Sequence, residues 1–393
     1  MKRRLSLLAF LGLGLAAAAQ AAPAPGATQE PAPRGPTPVS SSPRGKSTLD
    51  PALERAADRL LRGAKPVEGA VIAVEPKTGR ILAFRALTSS GASYEVLTQA
   101  RLPAASLFKV VTTTALLETT GLSLQDTVCI NGGTHGIERR HLEPGRGAGS
   151  SCSPFAWALG HSKNAVFAQL ATRMLTRDDL LRTAERLGFN ARLELDDGEQ
   201  LAELGKLTVP YNDLEFARAA AGFQGSSLSP LGAAYLMTLV ARGGTPVGLR
   251  LHEPAIGAPA SLPQAAPLSL KTAQRLTRML EVTVETGTSR GAFTAPDGKR
   301  YLPGIRVAGK TGTLRPAESD DTMTSWFVGF APSRSPEIVV TVMLVNGHTY
   351  RRKANELARD LLRTYFHSHG RAATVTDPFE ATAPEPLAAG PRE

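Results

Sequence analysis

Gly69-Ala70-Val71-Ile72-Ala73-Val74, then Glu75-Pro76-Lys77-Thr78-Gly79, then Arg80-Ile81-Leu82-Ala83-Phe84 is the stretch that decides the architecture. Two apolar, β-branched runs flank a turn in which proline presets φ and glycine accepts a positive one, so it reads as a β-hairpin. Beyond it, from about residue 105 to about 287, the period turns helical, as in Leu180, Leu181, Ala184 and Leu187 and again in Leu231, Ala234, Tyr235, Thr238 and Leu239. Strand-like runs return at residues 305–314, 323–330 and 337–345, and a helical pattern closes the series at about 352–366. Strands at both ends with helices inserted between them predict an α+β fold. Its five-stranded antiparallel sheet is packed by terminal helices, with an inserted all-helical sub-domain at about 105–287.

The flanks read differently. Lys2, Arg3 and Arg4 precede an apolar run ending near Ala19, and Ala19-Gln20-Ala21 has the small-x-small form of a secretory cleavage site. Residues 1–21 are therefore expected to be a signal peptide, cut after Ala21, that delivers the chain to the periplasm. The run falls short of the ~20 residues that span a bilayer; left uncut, it would be a membrane anchor. Residues 22–50 and 369–393 are rich in Pro and Ala, without hydrophobic period. They carry too little apolar surface to offset the entropy of ordering, and are expected to be a disordered tether and tail. Residues 51–368 remain as the folded domain. The 393-residue chain has a formal charge of +10, about +7 once the leader is gone. That balance suits nucleic acid, an anionic envelope polymer, or a basic surface with no partner. Export removes nucleic acid and leaves weak association with the anionic cell wall.

Three short motifs stand in order within the folded part: Ser106-Leu107-Phe108-Lys109, Ser162-Lys163-Asn164 and Lys310-Thr311-Gly312-Thr313. Residues 107–117 have the apolar pattern of a buried helix. Positions i and i+3 of a helix share a face about 4.5 Å apart along the axis, so the Lys109 amine can reach the Ser106 hydroxyl. Serine is a poor nucleophile, and lysine a poor base until burial and a neighbouring cation bring it near neutrality, roughly 4 kcal/mol of environmental work. Lys310 is the candidate for that cation. Taken alone, the first motif is equally a surface lysine one turn from an N-capping serine. Lys-Thr-Gly occurs twice. Lys77-Thr78-Gly79 is explained by the hairpin turn, whereas Lys310-Thr311-Gly312 lies inside a strand, where a glycine marks a place for a ligand to approach. Its cation and the Thr311 and Thr313 hydroxyls can grip a carboxylate, while the Thr313 and Ser106 backbone N–H groups can cradle an acyl oxyanion.

In this order the motifs resemble those of the penicillin-recognising serine acyltransferases, which comprise the penicillin-binding proteins and the serine β-lactamases. Residues 73–83 (AVEPKTGRILA), Gly287-Thr288, residues 325–332 (SWFVGFAP) and residues 225–244 (GSSLSPLGAAYLMTLVARGG) are similar to the penicillin-binding transpeptidase domain. The resemblance spans about residues 66–366. It implies that Ser106 is the acylated nucleophile, Lys109 its base, Ser162 a proton relay to the leaving amine, and Asn164 the group that holds the acyl chain's amide. Lys310 would set the local field, and Thr311 and Thr313, with Gly312 between them, would bind the terminal carboxylate of a D-Ala-D-Ala stem peptide or a β-lactam. The implied activity is a D,D-transpeptidase or D,D-carboxypeptidase of peptidoglycan biosynthesis, with stem peptides as substrates, β-lactams as inhibitors and no cofactor. Ser-x-Asn at the second motif, and no segment resembling the deacylating loop of class A β-lactamases, place a β-lactamase second. A non-catalytic murein-binding or β-lactam-sensing homologue is the third reading. The short stretch between Pro51 and the hairpin leads to the expectation of a single-domain member, without glycosyltransferase or pedestal domains.

Cys129 and Cys152, the only cysteines, read in an exported chain as a disulfide closing a Gly-rich loop, worth about 3 to 3.5 kcal/mol by chain entropy. His135 and His141 lie between them and offer zinc as the alternative, but C-x5-H-x5-H-x10-C lacks the close ligand pairs of zinc motifs, and no metal is expected. The charged loop holding Glu138, Arg139, Arg140 and Glu143 either borders the cleft or is simply solvated. His161, beside Ser162, reads as scaffold.

Overall fold

The structure, a computed structural model, describes residues 45–195, 201–253, 268–315, 322–347 and 351–370. The expected signal peptide, the tether up to residue 44 and the tail from residue 371 lie outside the described residues. Ordered chain begins before Pro51, because Ser47 bridges His252 and the buried Thr48 donates its hydroxyl to the Ile81 carbonyl at 2.8 Å.

Helix α1 (Pro51–Ala64) is set by its ends. The Asp50 carboxylate accepts the N–H groups of Ala52 and Leu53 at 2.7 and 3.0 Å, Pro51 occupies the first turn, and left-handed Lys65 closes the helix. Strands β1 (Glu68–Glu75) and β2 (Arg80–Thr88) form the hairpin. In its turn Gly79 has φ +78°, and a Cβ there would stand 2.0 Å from the Gly248 carbonyl oxygen, so the first Lys-Thr-Gly copy is a structural turn. The inserted block follows, with α2 (Lys109–Thr119), α3 (Asn164–Met174), α4 (Pro230–Ala241) and α5 (Leu270–Glu285) as its main helices. The chain then returns to the sheet as β3 (Ala308–Leu314), β4 (Met323–Ala331) and β5 (Ile338–Asn346), and ends in α6 (Ala354–Ser368).

The sheet order is β3-β4-β5-β1-β2, every neighbouring pair antiparallel, with Val71 opposite Val342 and Lys310 opposite Val328. This is the expected five-stranded α+β arrangement. Val71, Ala73, Val340, Val342 and Leu344 cluster with Leu53, Leu61, Leu357 and Leu361 of the terminal helices. Ala70, Ile72, Val74, Val339 and Met343 cluster with Leu236 and Val240 of α4. Because both faces are covered, β1 and β5 read as unbroken apolar runs instead of alternating ones.

The inserted block is chiefly, not wholly, helical. Leu102–Pro103, Ser226–Leu228 and Gly205–Leu207 form one small antiparallel sheet, Thr127–Ile130 and Ser151–Pro154 a second, and Arg192–Glu194 with Leu201–Glu203 a third. Their strands are two to four residues long, too short for a two-residue period to stand out among helices, which is why the sequence led to an all-helical expectation. Among the described residues no helix is long and apolar enough to cross a membrane.

Candidate active site

Ser106 lies in a single tight 3-10 turn, Ala105–Phe108, which runs into α2. The residue before it, Ala105, has φ +49°, a left-handed conformation that costs a non-glycine residue roughly 1–2 kcal/mol. Surrounding contacts hold it there. Ala104 N–H donates to the Ser226 carbonyl at 3.1 Å, Trp326 Nε1–H donates to the Pro103 carbonyl at 3.1 Å, and Gly222 presses its backbone against Ala105. No side chain caps the turn, so the capping role open to Ser106 is not the one it takes. Its Oγ lies 2.8 Å from Lys109 Nζ.

Lys109 is wholly buried, and its amine donates to the Ala221 carbonyl at 2.7 Å. Burial first, and the nearby Lys310 cation second, hold this amine well below its ordinary range. Lys310, also wholly buried, donates to Ser162 Oγ at 3.1 Å and to the Thr311 carbonyl at 2.8 Å; burial pushes it down to about 7.

Both shifts favour the neutral amine in the folded state. From about pH 7 up to the ordinary lysine range the unfolded chain therefore binds more protons than the folded one, and stability rises with pH. Thermal midpoints followed from about pH 7 to about pH 9 are expected to climb more steeply in the wild type than in Lys310→Met. Parallel profiles would show that Lys310 is not depressed by burial.

Strand β3, at the edge of the sheet, carries the third motif against the Ser106 turn. A Cβ at Gly312 would stand 3.3 Å from Trp326 and 3.4 Å from the Ala105 Cβ, so the bare position is used by the protein itself to bring strand and turn together. This differs from the sequence reading, in which Gly312 made room for a ligand. The Thr311 hydroxyl lies 2.6 Å from that of Thr288, and exposed Thr313 shares its face of the strand.

Ser162 follows the short helix Phe155–Gly160 and also takes a left-handed conformation, φ +55°. Two glycines bring it to Lys310, 148 residues away in sequence. A Cβ on Gly160 would meet Val282 of α5 at 2.5 Å, and one on Gly287 would meet the Gly160 carbonyl oxygen at 2.3 Å. Asn164 is the first residue of α3, yet its side chain is no cap: its Nδ2–H donates to the Thr134 carbonyl at 2.6 Å.

Cys129 and Cys152 are bonded to each other across the small sheet, their Cα atoms 4.0 Å apart, which commits both sulfurs that a zinc ion would need. Among the described residues no group of three or more His, Cys, Asp or Glu could hold a metal ion. His141 is buried and accepts the Glu138 N–H on Nδ1 at 3.0 Å, while His161 stacks on Trp157 with ring centres 4.9 Å apart. The carbonyls of Ala221 and Thr134 were invisible to sequence reasoning, because a backbone oxygen carries no residue signature. Thr288 had one signal, the Gly287-Thr288 pair.

A five-stranded antiparallel sheet with an inserted helical block, and a serine beside a buried amine at its edge strand, define the class of serine acyltransferases that use lysine in place of histidine. Residues 69–363 match the model of the penicillin binding protein transpeptidase domain, and the chain belongs to that family. The peptidoglycan D,D-transpeptidase PbpA of Mycobacterium tuberculosis is 28% identical over 349 residues, 78% of this chain and 68% of that one. Stage V sporulation protein D of Bacillus subtilis is 25% identical over 334 residues, 77% of this chain and 49% of that one. Among solved structures, penicillin-binding protein A from M. tuberculosis in its ceftriaxone acyl-enzyme complex matches with a TM-score of 0.63 at 23% identity, covering 81% of this chain and 79% of that one. The apo transpeptidase domain of Burkholderia pseudomallei penicillin-binding protein 3 matches with a TM-score of 0.66 at 19% identity, covering 87% and 100%. These structural likenesses establish the shared fold.

Proposed function

We propose that the chain is a serine D,D-transpeptidase of peptidoglycan biosynthesis that acts in the periplasm through a seryl acyl-enzyme, with residues 51–368 as its catalytic unit behind a leader and tether. The observation that carries this reading is the pair of contacts Ser106–Lys109 and Ser162–Lys310, made by two wholly buried lysines whose amines are both depressed. A buried amine kept neutral has a lone pair to offer a hydroxyl proton, which ordinary surface lysine does not.

In this reading neutral Lys109, with one N–H given to the Ala221 carbonyl, takes the Ser106 proton as Oγ bonds to the carbonyl carbon of the penultimate D-alanine. The oxyanion is received by the backbone N–H groups of Ser106 and Thr313, each such donor being worth about 2.7 to 4 kcal/mol. As the C–N bond breaks, the Ser162 hydroxyl passes a proton to the leaving nitrogen. Lys310, with Thr311 and Thr313, holds the terminal carboxylate, and the bound anion favours its charged form. Asn164 holds the acyl chain's amide. An amine from a second stem peptide then bonds to the acyl carbon and releases Ser106. A β-lactam offers the same carbonyl and carboxylate, but its leaving nitrogen stays tethered, so the acyl-enzyme persists.

Intact-mass spectrometry after exposure to benzylpenicillin tests the reading. The expected result is one lasting adduct of the whole drug's mass, mapped to Ser106 and missing in Ser106→Ala. D-alanine should be released from a stem pentapeptide, with a cross-linked product when an acceptor amine is supplied. Release of D-alanine without cross-linking would make the enzyme a carboxypeptidase. Prompt release of hydrolysed drug would make it a β-lactamase, and stem-peptide binding with no adduct would make it a sensor; either overturns the proposal.

A further inference from the structure

The segment between Cys129 and Cys152 supplies nothing to the chemistry above, yet it is fastened to the cleft. Its Thr134 carbonyl accepts the Asn164 Nδ2–H at 2.6 Å. Its Gly133, with φ +77°, packs on the next residue of α3, where a Cβ would stand 2.7 Å from the Ala165 Cβ. The Cys129 carbonyl accepts Gly145 N–H at 2.8 Å from within the segment and Gln169 Nε2–H at 3.3 Å from α3. Arg218 Nε–H donates to the Ile137 carbonyl at 3.0 Å from the neighbouring helix Asp213–Ala220. The disulfide stands at the base, across directly paired residues of a two-stranded sheet.

A two-stranded sheet of four-residue strands is marginal by itself, and six glycines at positions 132, 133, 136, 145, 147 and 149 raise the entropy lost on ordering the segment. Covalent closure removes much of that loss. The consequence reaches Asn164 because a primary amide can turn over, exchanging its oxygen and nitrogen. With Nδ2 donating to Thr134, Oδ1 occupies the other branch of the amide, as an acceptor. We infer that the Cys129–Cys152 disulfide and the Thr134 carbonyl form a positioning device that fixes the Asn164 amide with Oδ1 presented to the N–H of the acyl chain. This inference rests on the proposed role of Asn164 in binding the acyl amide.

The test is the second-order rate constant of acylation by a fluorescent penicillin, measured on oxidised and reduced forms of the wild type and of Asn164→Ala. A dithiol is the reductant: it surrenders two electrons and two protons, converting Cys129 and Cys152 to thiols and itself to a cyclic disulfide. Reduction is expected to slow wild-type acylation about tenfold, the scale of one lost orienting hydrogen bond, and to slow Asn164→Ala less than about twofold. Gly133→Ala, with the bond intact, should slow acylation about as much as reduction does. Equal slowing in both backgrounds would show a disulfide that merely stabilises the domain, and no slowing in the wild type would show one without influence on the site; either overturns the inference. Oxidised Asn164→Ala acylating at the wild-type rate would instead remove Asn164 from the proposed function. Should the reduced protein unfold at the assay temperature, Gly133→Ala decides, and a wild-type rate in that variant overturns the inference.

Discussion

Lys109→Arg is expected to lower the rate of acylation by benzylpenicillin about 10³-fold, although it preserves the charge ordinarily ascribed to lysine. A guanidinium stays protonated throughout the accessible pH range and has no lone pair to give, so it cannot take the Ser106 proton. General base catalysis contributes about 10²- to 10⁴-fold, and that contribution would be lost whole. The wholly buried position adds a second penalty, because the new cation would be fixed near Lys310 with the Ala221 carbonyl as its main compensation. Lys109→Met separates the two effects. It matches the linear shape without charge, and is expected to melt at least as high as Lys109→Arg while acylating no faster. Rates from a fluorescent penicillin, read beside melting curves, check both. A Lys109→Met variant acylating within tenfold of the wild type would mean that another group is the base.

Gly222→Ala is the other large expected effect, and it acts through the backbone. Gly222 has φ +82°, and a Cβ there would stand 2.1 Å from the Ala105 carbonyl oxygen and 2.7 Å from its carbonyl carbon. Alanine in that conformation costs about 1–2 kcal/mol, and the collision must be relieved by moving the strained peptide that precedes Ser106. Displacing a reacting atom by about 1 Å costs on the order of 10²-fold in rate. The variant should fold with a lowered midpoint and acylate about 10²-fold more slowly, while Gly291→Ala, where the added Cβ meets nothing within 4 Å, should match the wild type in both measurements. Wild-type acylation in Gly222→Ala would show that the Ser106 turn does not depend on this backbone contact.

Both predictions turn on contacts that no local reading supplies. The hairpin at residues 69–84, the three later strands and the last helix were legible because each rests on a short period: 2 in a strand, 3.6 in a helix, with Pro76 and Gly79 marking the turn. The motif residues were legible for the same reason, since Ser106 and Lys109 sit three apart on one element. The small strands were not, because two to four residues among helices contain no full repeat of their own period.

The sequence by itself determined the secondary-structure order, the sheet with its inserted block, and the identity of the serines, lysines and threonines that chemistry of this kind requires. Only the tertiary structure decided how those groups are prepared: that the Ala221 carbonyl anchors Lys109 from 112 positions away, that Gly160 and Gly287 bring Ser162 to Lys310, and that Thr134 turns the Asn164 amide. The division has a physical reason. Periodicity and motif spacing report on neighbours along the chain, whereas burial of an amine, closeness of two backbones and orientation of an amide are set by elements that meet only when the sheet closes around the inserted block.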